Sequence, residues 1–292
     1  MKNIITKAET LIEALPYIRN FFGKTFVIKY GGSAQVKEKL KDSFAKDITI
    51  LNFIGINTVI VHGGGPRISS TMKKMGKKPQ FIHGQRITDK ETMDIVEMVL
   101  GGLVNKEIVS LINSHGGKAV GLSGKDGSLI KAKKKLMGEY QSDGTDEILD
   151  IGLVGEVSHI DPYILISLKN DGCIPVISPI GFGLKGETFN INADHVAASI
   201  AASLKAEKLI LLTDVAGIMD KENKIISTLT KKQIQKLINK KIISGGMLPK
   251  VQACLDALNQ GVSKTHIIDG RIPHCLLLEI FTKKGIGTEI KI

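Results

Sequence analysis

KTFVIKYGG (24–32) and NTVIVHGGGP (57–66) decide how the chain is read. Each is a short apolar run that ends in glycines. Each is followed by a segment with helical spacing, KLKDSFAKDITILNFIG (39–55) after the first and ISSTMKKMG (68–76) after the second. The alternation continues with TMDIVEMVLGGLVNKEIVSLINSHG (92–116) and KAVGLSG (118–124), then PYILISLKNDG (162–172) and CIPVISPIG (173–181). It ends with DHVAASIAASLKA (194–206) and KLILLTDVAG (208–217), then PKVQACLDALNQG (249–261) and KTHIIDG (264–270). Continuous apolar strands between helices describe a parallel sheet covered on both faces. The expected fold class is therefore α/β, a three-layer α/β/α sandwich with a largely parallel central sheet and two lobes. LIKAKKK (129–135), DIGLVGEVSHI (150–160) and FIHGQRIT (81–88) read as hairpins on the edge of that sheet. The mildest break lies near SPIGFGLKGETF (178–189), which divides the chain into a helical extension over 1–24 and lobes over 25–182 and 183–292.

At 292 residues and 42% hydrophobic content the chain can bury one large core or two medium ones. No run of about 18 apolar residues is present to span a bilayer. The opening MKNIITKAETLIEALPYIRN mixes charges among its apolar positions and lacks the uninterrupted core of a signal peptide, so a cytoplasmic address is expected. Cys173, Cys254 and Cys275 have no CxxC spacing and read as reduced structural thiols. The net charge of +11 raises nucleic acid as a partner, but only four of the 40 basic residues are arginine and no aromatics interleave the lysine runs. A solvated surface whose field attracts anionic substrates is the better reading.

In open α/β sheets ligands bind at the carboxyl ends of the strands, which is where this chain keeps its glycines. Gly31 and Gly32 follow the first strand, Gly63, Gly64 and Gly65 the second, and Gly245 and Gly246 precede a helix. Three such loops favour phosphate binding, because glycine lets backbone N–H groups approach an anion. The loops do not make a Walker A motif, since neither GLSGKDG nor GGMLPK has its spacing. Gly181, Gly183 and Gly186 satisfy GxGxxG, but the following ETFNIN reads as extended, so no helix N-terminus would receive a pyrophosphate.

Two cations stand at these loops. Lys29 lies inside the first strand with apolar neighbours on both sides, and either snorkels at the strand end or meets an anion. Lys250 follows Pro249 in the first turn of a helix, set against the helix dipole. Asp194 at the start of an Ala-rich helix reads as an N-cap, as a carboxylate that aligns both ammonium groups, or as both. Asn190 offers an amide near the same place, and reads equally as a turn residue. Arg86 suits a carboxylate held bidentately, or a surface ion pair.

Taken together, VIKYGGS (27–33), VHGGGP (61–66), FIHGQRIT (81–88), FNINADHVA (189–197), LLTDVAG (211–217) and SGGMLPK (244–250) resemble the amino acid kinase family. Within it they are most similar to the members that phosphorylate N-acetyl-L-glutamate in arginine biosynthesis. The resemblance covers nearly the whole chain in the family's order. It implies transfer of a phosphoryl group from MgATP, with Mg2+ entering on the nucleotide, to the γ-carboxylate of N-acetyl-L-glutamate. It further implies that Lys29 and Lys250 stabilise the transferring group and that Asp194 organises them. Gly64 and Gly65 would donate to the acceptor carboxylate, Arg86 would grip the α-carboxylate, and Asn190 would contact the acetylamino acid. Gly31, Gly32, Thr213, Asp214, Gly245 and Gly246 would lie toward the nucleotide. The lobe 25–182 would take the acceptor and 183–292 the nucleotide.

The same resemblance implies a homo-oligomer, in which the N-terminal helix joins dimers into hexamers. It also implies inhibition by arginine at the tail KTHIIDGRIPHCLLLEIFTKKGIGTEI (264–290), with Glu279 as partner for the effector's cation. An aspartate or carbamate kinase is the alternative within the family, to be separated by the pocket around Arg86 and Asn190. A non-catalytic nucleotide or amino-acid sensor is the alternative outside it, and the intact Lys29, Lys250 and Asp194 argue against that.

Overall fold

The computed structural model describes residues 2–140 and 146–292, so Met1 of the N-terminal extension lies outside the described residues. The first part of the chain holds α1 (Lys2–Phe21), β1 (Thr25–Tyr30), α2 (Glu38–Phe53), β2 (Asn57–His62), α3 (Gly65–Lys74), β3 (Phe81–Ile82), β4 (Gln85–Arg86), α4 (Lys90–Glu97), α5 (Asn105–Ser114) and β5 (Ala119–Ser123). The middle holds β6 (Ile130–Lys134), β7 (Met137–Tyr140), β8 (Asp146–Leu149), β9 (Val154–Ile160), α6 (Tyr163–Asn170), β10 (Ile174–Ser178), β11 (Ile180–Phe182) and β12 (Thr188–Ile191). The last part holds α7 (Ala193–Ser203), β13 (Lys208–Thr213), β14 (Thr228–Thr230), α8 (Lys231–Asn239), α9 (Met247–Asn259), β15 (Lys264–Asp269), α10 (Cys275–Ile280) and β16 (Thr288–Lys291).

Eight strands form one sheet in the order β14-β16-β15-β13-β1-β2-β10-β5. All its pairings are parallel except β15 with β16. Because side chains alternate along a strand, this sheet has two cores. Val27, Val59, Val61, Leu209 and Leu211 face one core, with Val196 and Ala197 of α7 and Val251 and Cys254 of α9. Phe26, Ile28, Ile60, Ile210 and Leu212 face the other, with Phe44 and Ile48 of α2. Ile28 has no solvent exposure, so Ile28→Ala would cost about 2–5 kcal/mol. The same alternation decides the site: Lys29 shares the parity of Val27 and so points toward α7 and α9.

Three readings change with the structure. The segments 129–135 and 150–160 are not an edge of the main sheet. Their strands β6 and β9 close with β11 and β12 into a separate four-stranded barrel. Ile130, Ala132, Val154, Phe189 and Ile191 are buried, which provides the barrel's own core, and closure removes exposed strand edges. Of the three hairpins expected, 81–88 does form a tight turn between β3 and β4, but as a two-stranded unit of its own. Gly181, Gly183 and Gly186 lie in and around the β11–β12 hairpin, so a lobe boundary between 182 and 183 would split that hairpin. Finally, the helical segment 92–116 is interrupted by a π-helical turn over Met98–Val104 between α4 and α5.

Candidate active site

The carboxyl ends of β1, β2 and β13 lie side by side in the middle of the sheet. Lys29, next to last in β1, extends under α7, where its Nζ lies 3.1 Å from Asp194 Oδ1. Lys250, in the first turn and a half of α9, donates from Nζ to Asp194 Oδ2 at 2.8 Å. Asp194 is buried and sits at the second position of α7. Asn192, and not Asp194, caps this helix: its side chain accepts from the N–H groups of Asp194 and His195. That leaves the carboxylate free to lie between the two ammonium groups. The helix carrying Lys250 starts at Met247, two residues before the expected Pro249, with Gly246 as its N-cap.

Burial by itself would raise the Asp194 carboxyl, but Lys29 and Lys250 outweigh it and hold the group down to about 2. Burial also lowers the Lys29 ammonium, which Asp194 opposes and Lys250 reinforces, for a net downward direction. An additional anion between the two lysines would relieve that. Two buried or half-buried cations contact one carboxylate, with Asp214 also acting on Lys29, and this pair of cations at a cleft is what the arrangement can use chemically.

A cleft of about 240 Å3 opens beside this triad, lined by Lys29, Gly63, Gly64, Gly65, Arg86, Asn190 and Asp194 among others. Arg86 crosses its floor from β4. Its guanidinium donates to Gly65 O at 3.0 Å and Ser69 Oγ at 2.8 Å, and stacks 4.7 Å over the Phe81 ring. None of these is a carboxylate, and among the described residues no carboxylate pairs with the guanidinium, whose pKa burial lowers. Asn190 Nδ2 donates to Thr88 Oγ1 at 3.4 Å, and Thr88 Oγ1 donates to Arg86 O at 2.9 Å, which links β12 to the strand that presents the guanidinium. A larger cavity of about 330 Å3 between α2, α3 and α5 shares, among the described residues, only Gly64 with the cleft. There Lys41 is already shared between Glu38 and Glu107.

The glycines are explained by what surrounds them. A Cβ on Gly31 would stand 2.6 Å from Lys29 Nζ, and one on Gly32, whose φ is +68°, would stand 2.5 Å from the Asp214 carboxylate. Thr213 is buried at the end of β13, with Asp214 directly after it. Gly245, at φ +53°, leads into Gly246 at the start of α9. The triad, the two glycine turns, Arg86 and Asn190 are thus brought together, and Thr213, Asp214, Gly245 and Gly246 border the same edge from the C-terminal half.

Glu279 lies elsewhere. Its Oε1 meets His266 Nδ1 at 2.7 Å, and its Oε2 accepts from Ile286 N at 2.6 Å and Gly287 N at 3.2 Å. Lys208 Nζ contacts His266 Nε2 at 3.0 Å and lies over the Phe21 ring at the end of α1. Sequence reasoning missed Asn192, Ser69 and Thr88, because a cap or a hydroxyl partner has no signature until the strands are assembled. Among the described residues no group of three or more His, Cys, Asp or Glu could hold a metal, and no helix is long and apolar enough to cross a membrane.

Residues 24–269 match the model of the amino acid kinase family. The chain belongs to the amino acid kinase family. Curated acetylglutamate kinases from Sulfurihydrogenibium sp. (strain YO3AOP1) and Syntrophus aciditrophicus (strain SB) are each 60% identical to it. The first alignment covers 99% of both chains, the second 97% of this chain and 96% of the relative. Among solved structures, N-acetylglutamate synthase from Neisseria gonorrhoeae, complexed with coenzyme A and N-acetyl-glutamate, superimposes with a TM-score of 0.84 at 27% identity. That match covers 98% of this chain, which spans 63% of the longer synthase chain. Giardia carbamate kinase shares the fold with a TM-score of 0.66 at 16% identity, over 92% of this chain and 99% of that one. The chain is thus a kinase of this family, as its motifs led one to expect, and has the family's α/β fold.

Proposed function

We propose that this kinase phosphorylates the γ-carboxylate of N-acetyl-L-glutamate with MgATP, giving an acyl phosphate in arginine biosynthesis. The observation that carries the reading is the pair Lys29 and Lys250 on one buried carboxylate at a glycine-lined cleft that Arg86 also lines. A carboxylate is already a competent nucleophile, so no general base is needed and catalysis reduces to positioning and charge stabilisation. Arg86 holds the α-carboxylate, Asn190 the acetylamino group, and the N–H groups of Gly64 and Gly65 the carboxylate that attacks. Lys29 and Lys250 neutralise charge on the transferring phosphoryl group from two sides, with Asp194 holding both in line. Gly31, Gly32, Thr213, Asp214, Gly245 and Gly246 border the nucleotide. Mg2+ arrives with ATP, as suits a cation that retains water and binds through substrate phosphates.

Regulation by arginine and assembly beyond a dimer go with this reading, as does a cytoplasmic biosynthetic role. N-acetylglutamate synthase from N. gonorrhoeae complexed with coenzyme A and L-arginine has a TM-score of 0.80 to this chain at 26% identity, covering 97% of this chain and 65% of that one. Glu279 is the carboxylate for the effector's guanidinium, and arginine must then take the place of His266 against it. Helix α1 leaves Leu11, Ile12 and Leu15 exposed, at 74%, 68% and 51%, an apolar face that suits a neighbouring subunit. The test measures ADP release with N-acetyl-L-glutamate, glutamate, aspartate and carbamate, with and without arginine, alongside light scattering. Preference for N-acetyl-L-glutamate and inhibition by arginine are expected; turnover of aspartate or carbamate alone would overturn the acceptor assignment, and a dimer alone would overturn the hexamer.

A further inference from the structure

His62 has no role in the chemistry above, yet it is fully buried at the end of β2, immediately before Gly63, Gly64 and Gly65. Its Nδ1 lies 2.9 Å from the carbonyl oxygen of Gly63, so this nitrogen carries the proton and donates it. Nε2 is then the acceptor, and Asn105 Nδ2 donates to it at 3.2 Å. Burial drives the imidazole down to about 4, against the Gly63 contact, which keeps the neutral ring this pattern requires. The same Asn105 amide reaches Val176 O at 2.8 Å and Leu122 O at 3.3 Å, so it ties β2, β10 and β5 together. From the other side, Gln35 Nε2 donates to Gly63 O at 3.3 Å and to Tyr30 O at 3.1 Å.

Two side chains therefore grip one carbonyl. A trans peptide is planar, with its C=O and N–H pointing in opposite directions, so fixing Gly63 O fixes the direction of the Gly64 N–H. Gly63, Gly64 and Gly65 line the cleft. The π-helical turn over Met98–Val104 makes the grip possible. Leu100 and Asn105 are five residues apart, which a regular α-helix sends to different sides and a wider turn brings to one. Leu100 stands against Gly64, where a Cβ would meet its Cδ2 at 2.5 Å, while Asn105 reaches His62. Gly121 leaves the room Asn105 occupies, since a Cβ there would lie 1.9 Å from its Oδ1.

We propose that His62, braced by Asn105 and assisted by Gln35, is a positioning residue that locks the Gly63 peptide so that the Gly64 N–H faces the attacking carboxylate of the acceptor. The assignment rests on the reading of Gly64 as a donor to that carboxylate. It is tested with His62→Leu, Asn105→Leu, Gln35→Leu and His62→Asn, the last keeping an N–H close to the place of Nδ1. Two readouts are used: steady-state kinetics for N-acetyl-L-glutamate and MgATP, and hydrogen exchange of the peptide covering 63–68 in substrate-free protein.

In His62→Leu and Asn105→Leu, KM for the acceptor should rise on the order of tenfold and kcat fall by up to about a hundredfold, as for a donor misplaced by an ångström. KM for MgATP should stay within about twofold. Gln35→Leu should shift the acceptor KM about threefold in the same direction, and His62→Asn should restore most of the loss. Exchange over 63–68 should quicken in the three Leu variants and return to the wild-type rate in His62→Asn. Unchanged kinetics and exchange in His62→Leu would overturn the proposal, as would His62→Asn being impaired as far as His62→Leu. If His62→Leu does not fold, Gln35→Leu decides, and unchanged acceptor KM and exchange in it count against the grip. Wild-type protein inert toward N-acetyl-L-glutamate would defeat the acceptor reading, while the exchange measurement would still decide whether His62 holds the turn.

Discussion

Two buried carboxylates in this chain, Asp194 and Glu279, each contact a basic side chain, and they behave in opposite ways. Asp194 is shared by Lys29 and Lys250, so two cations face one carboxylate, and the cluster opens on a cleft. Glu279 belongs to a cluster in which Lys208 and Lys264 are matched by Glu279 and Glu289, with His266 between them. Burial, ahead of the Glu279 contact that opposes it, lowers the His266 pKa, so the ring is neutral and the second cluster is balanced. Its carboxylate oxygens are further met by Ile286 N and Gly287 N. The difference teaches that burial of charge does not by itself mark chemistry. A buried carboxylate that two lysines contact at the mouth of a cleft is prepared for an anionic substrate, whereas a cluster closed off among its own partners holds the fold together until something displaces one of them.

The contrast is broken most directly by Lys250→Ala. Turnover should fall on the order of 100- to 1,000-fold, with a smaller change in substrate KM, because a contact made to developing charge is lost. Steady-state ADP release checks this, and near-normal turnover would remove the triad from the mechanism. Next, Glu279→Ala leaves His266 and two backbone donors without their acceptor, and should cost about 3 kcal/mol in urea unfolding while arginine-free turnover stays close to wild type. If that variant lost turnover and kept its stability, the two clusters would have to exchange roles.

A smaller effect separates the clusters by pH. The folded pKa of Asp194 lies near 2, below its unfolded value, so its contribution to stability is complete above about pH 4 and is lost as pH falls through the folded pKa. About 2 kcal/mol of wild-type stability should disappear between roughly pH 4 and 2, and Asp194→Asn should show a flatter acid limb in that window. An acid limb unchanged in Asp194→Asn would mean that the carboxylate is not held by the lysines. Least in size, Arg86→Lys should raise KM for the acceptor about tenfold with little change in kcat, since a lysine cannot reproduce bidentate grip on a carboxylate. A kcat loss without a KM change would move Arg86 from substrate binding to the transferring group.

Much of this was legible in the chain. The helix and strand alternation follows from residues such as Val27, Val59 and Leu209, whose continuous apolar runs have no stable place except a sheet covered on both faces. Lys29 and Lys250 stood out because each sits where an unpartnered cation is costly. The barrel was not legible, since β6 and β9 have the same alternating pattern as an edge hairpin and differ only in what they pair with. Nor was the cap of α7: Asn192 and Asp194 are both ordinary N-cap residues, and only the packing of α7 against β1 assigns one to the helix and the other to the lysines.

The sequence by itself determined the layers, the glycine turns and the cations that border them, because local spacing and the cost of burying charge act within a few residues. What the tertiary structure alone decided was convergence. It brought Lys29, Asp194 and Lys250 from three distant segments to one point, and it turned Glu279 inward to His266. It also aligned His62, Asn105 and Gln35 on a single carbonyl. Those distances depend on how strands and helices register across the sheet, and no local interaction within the chain carries that information.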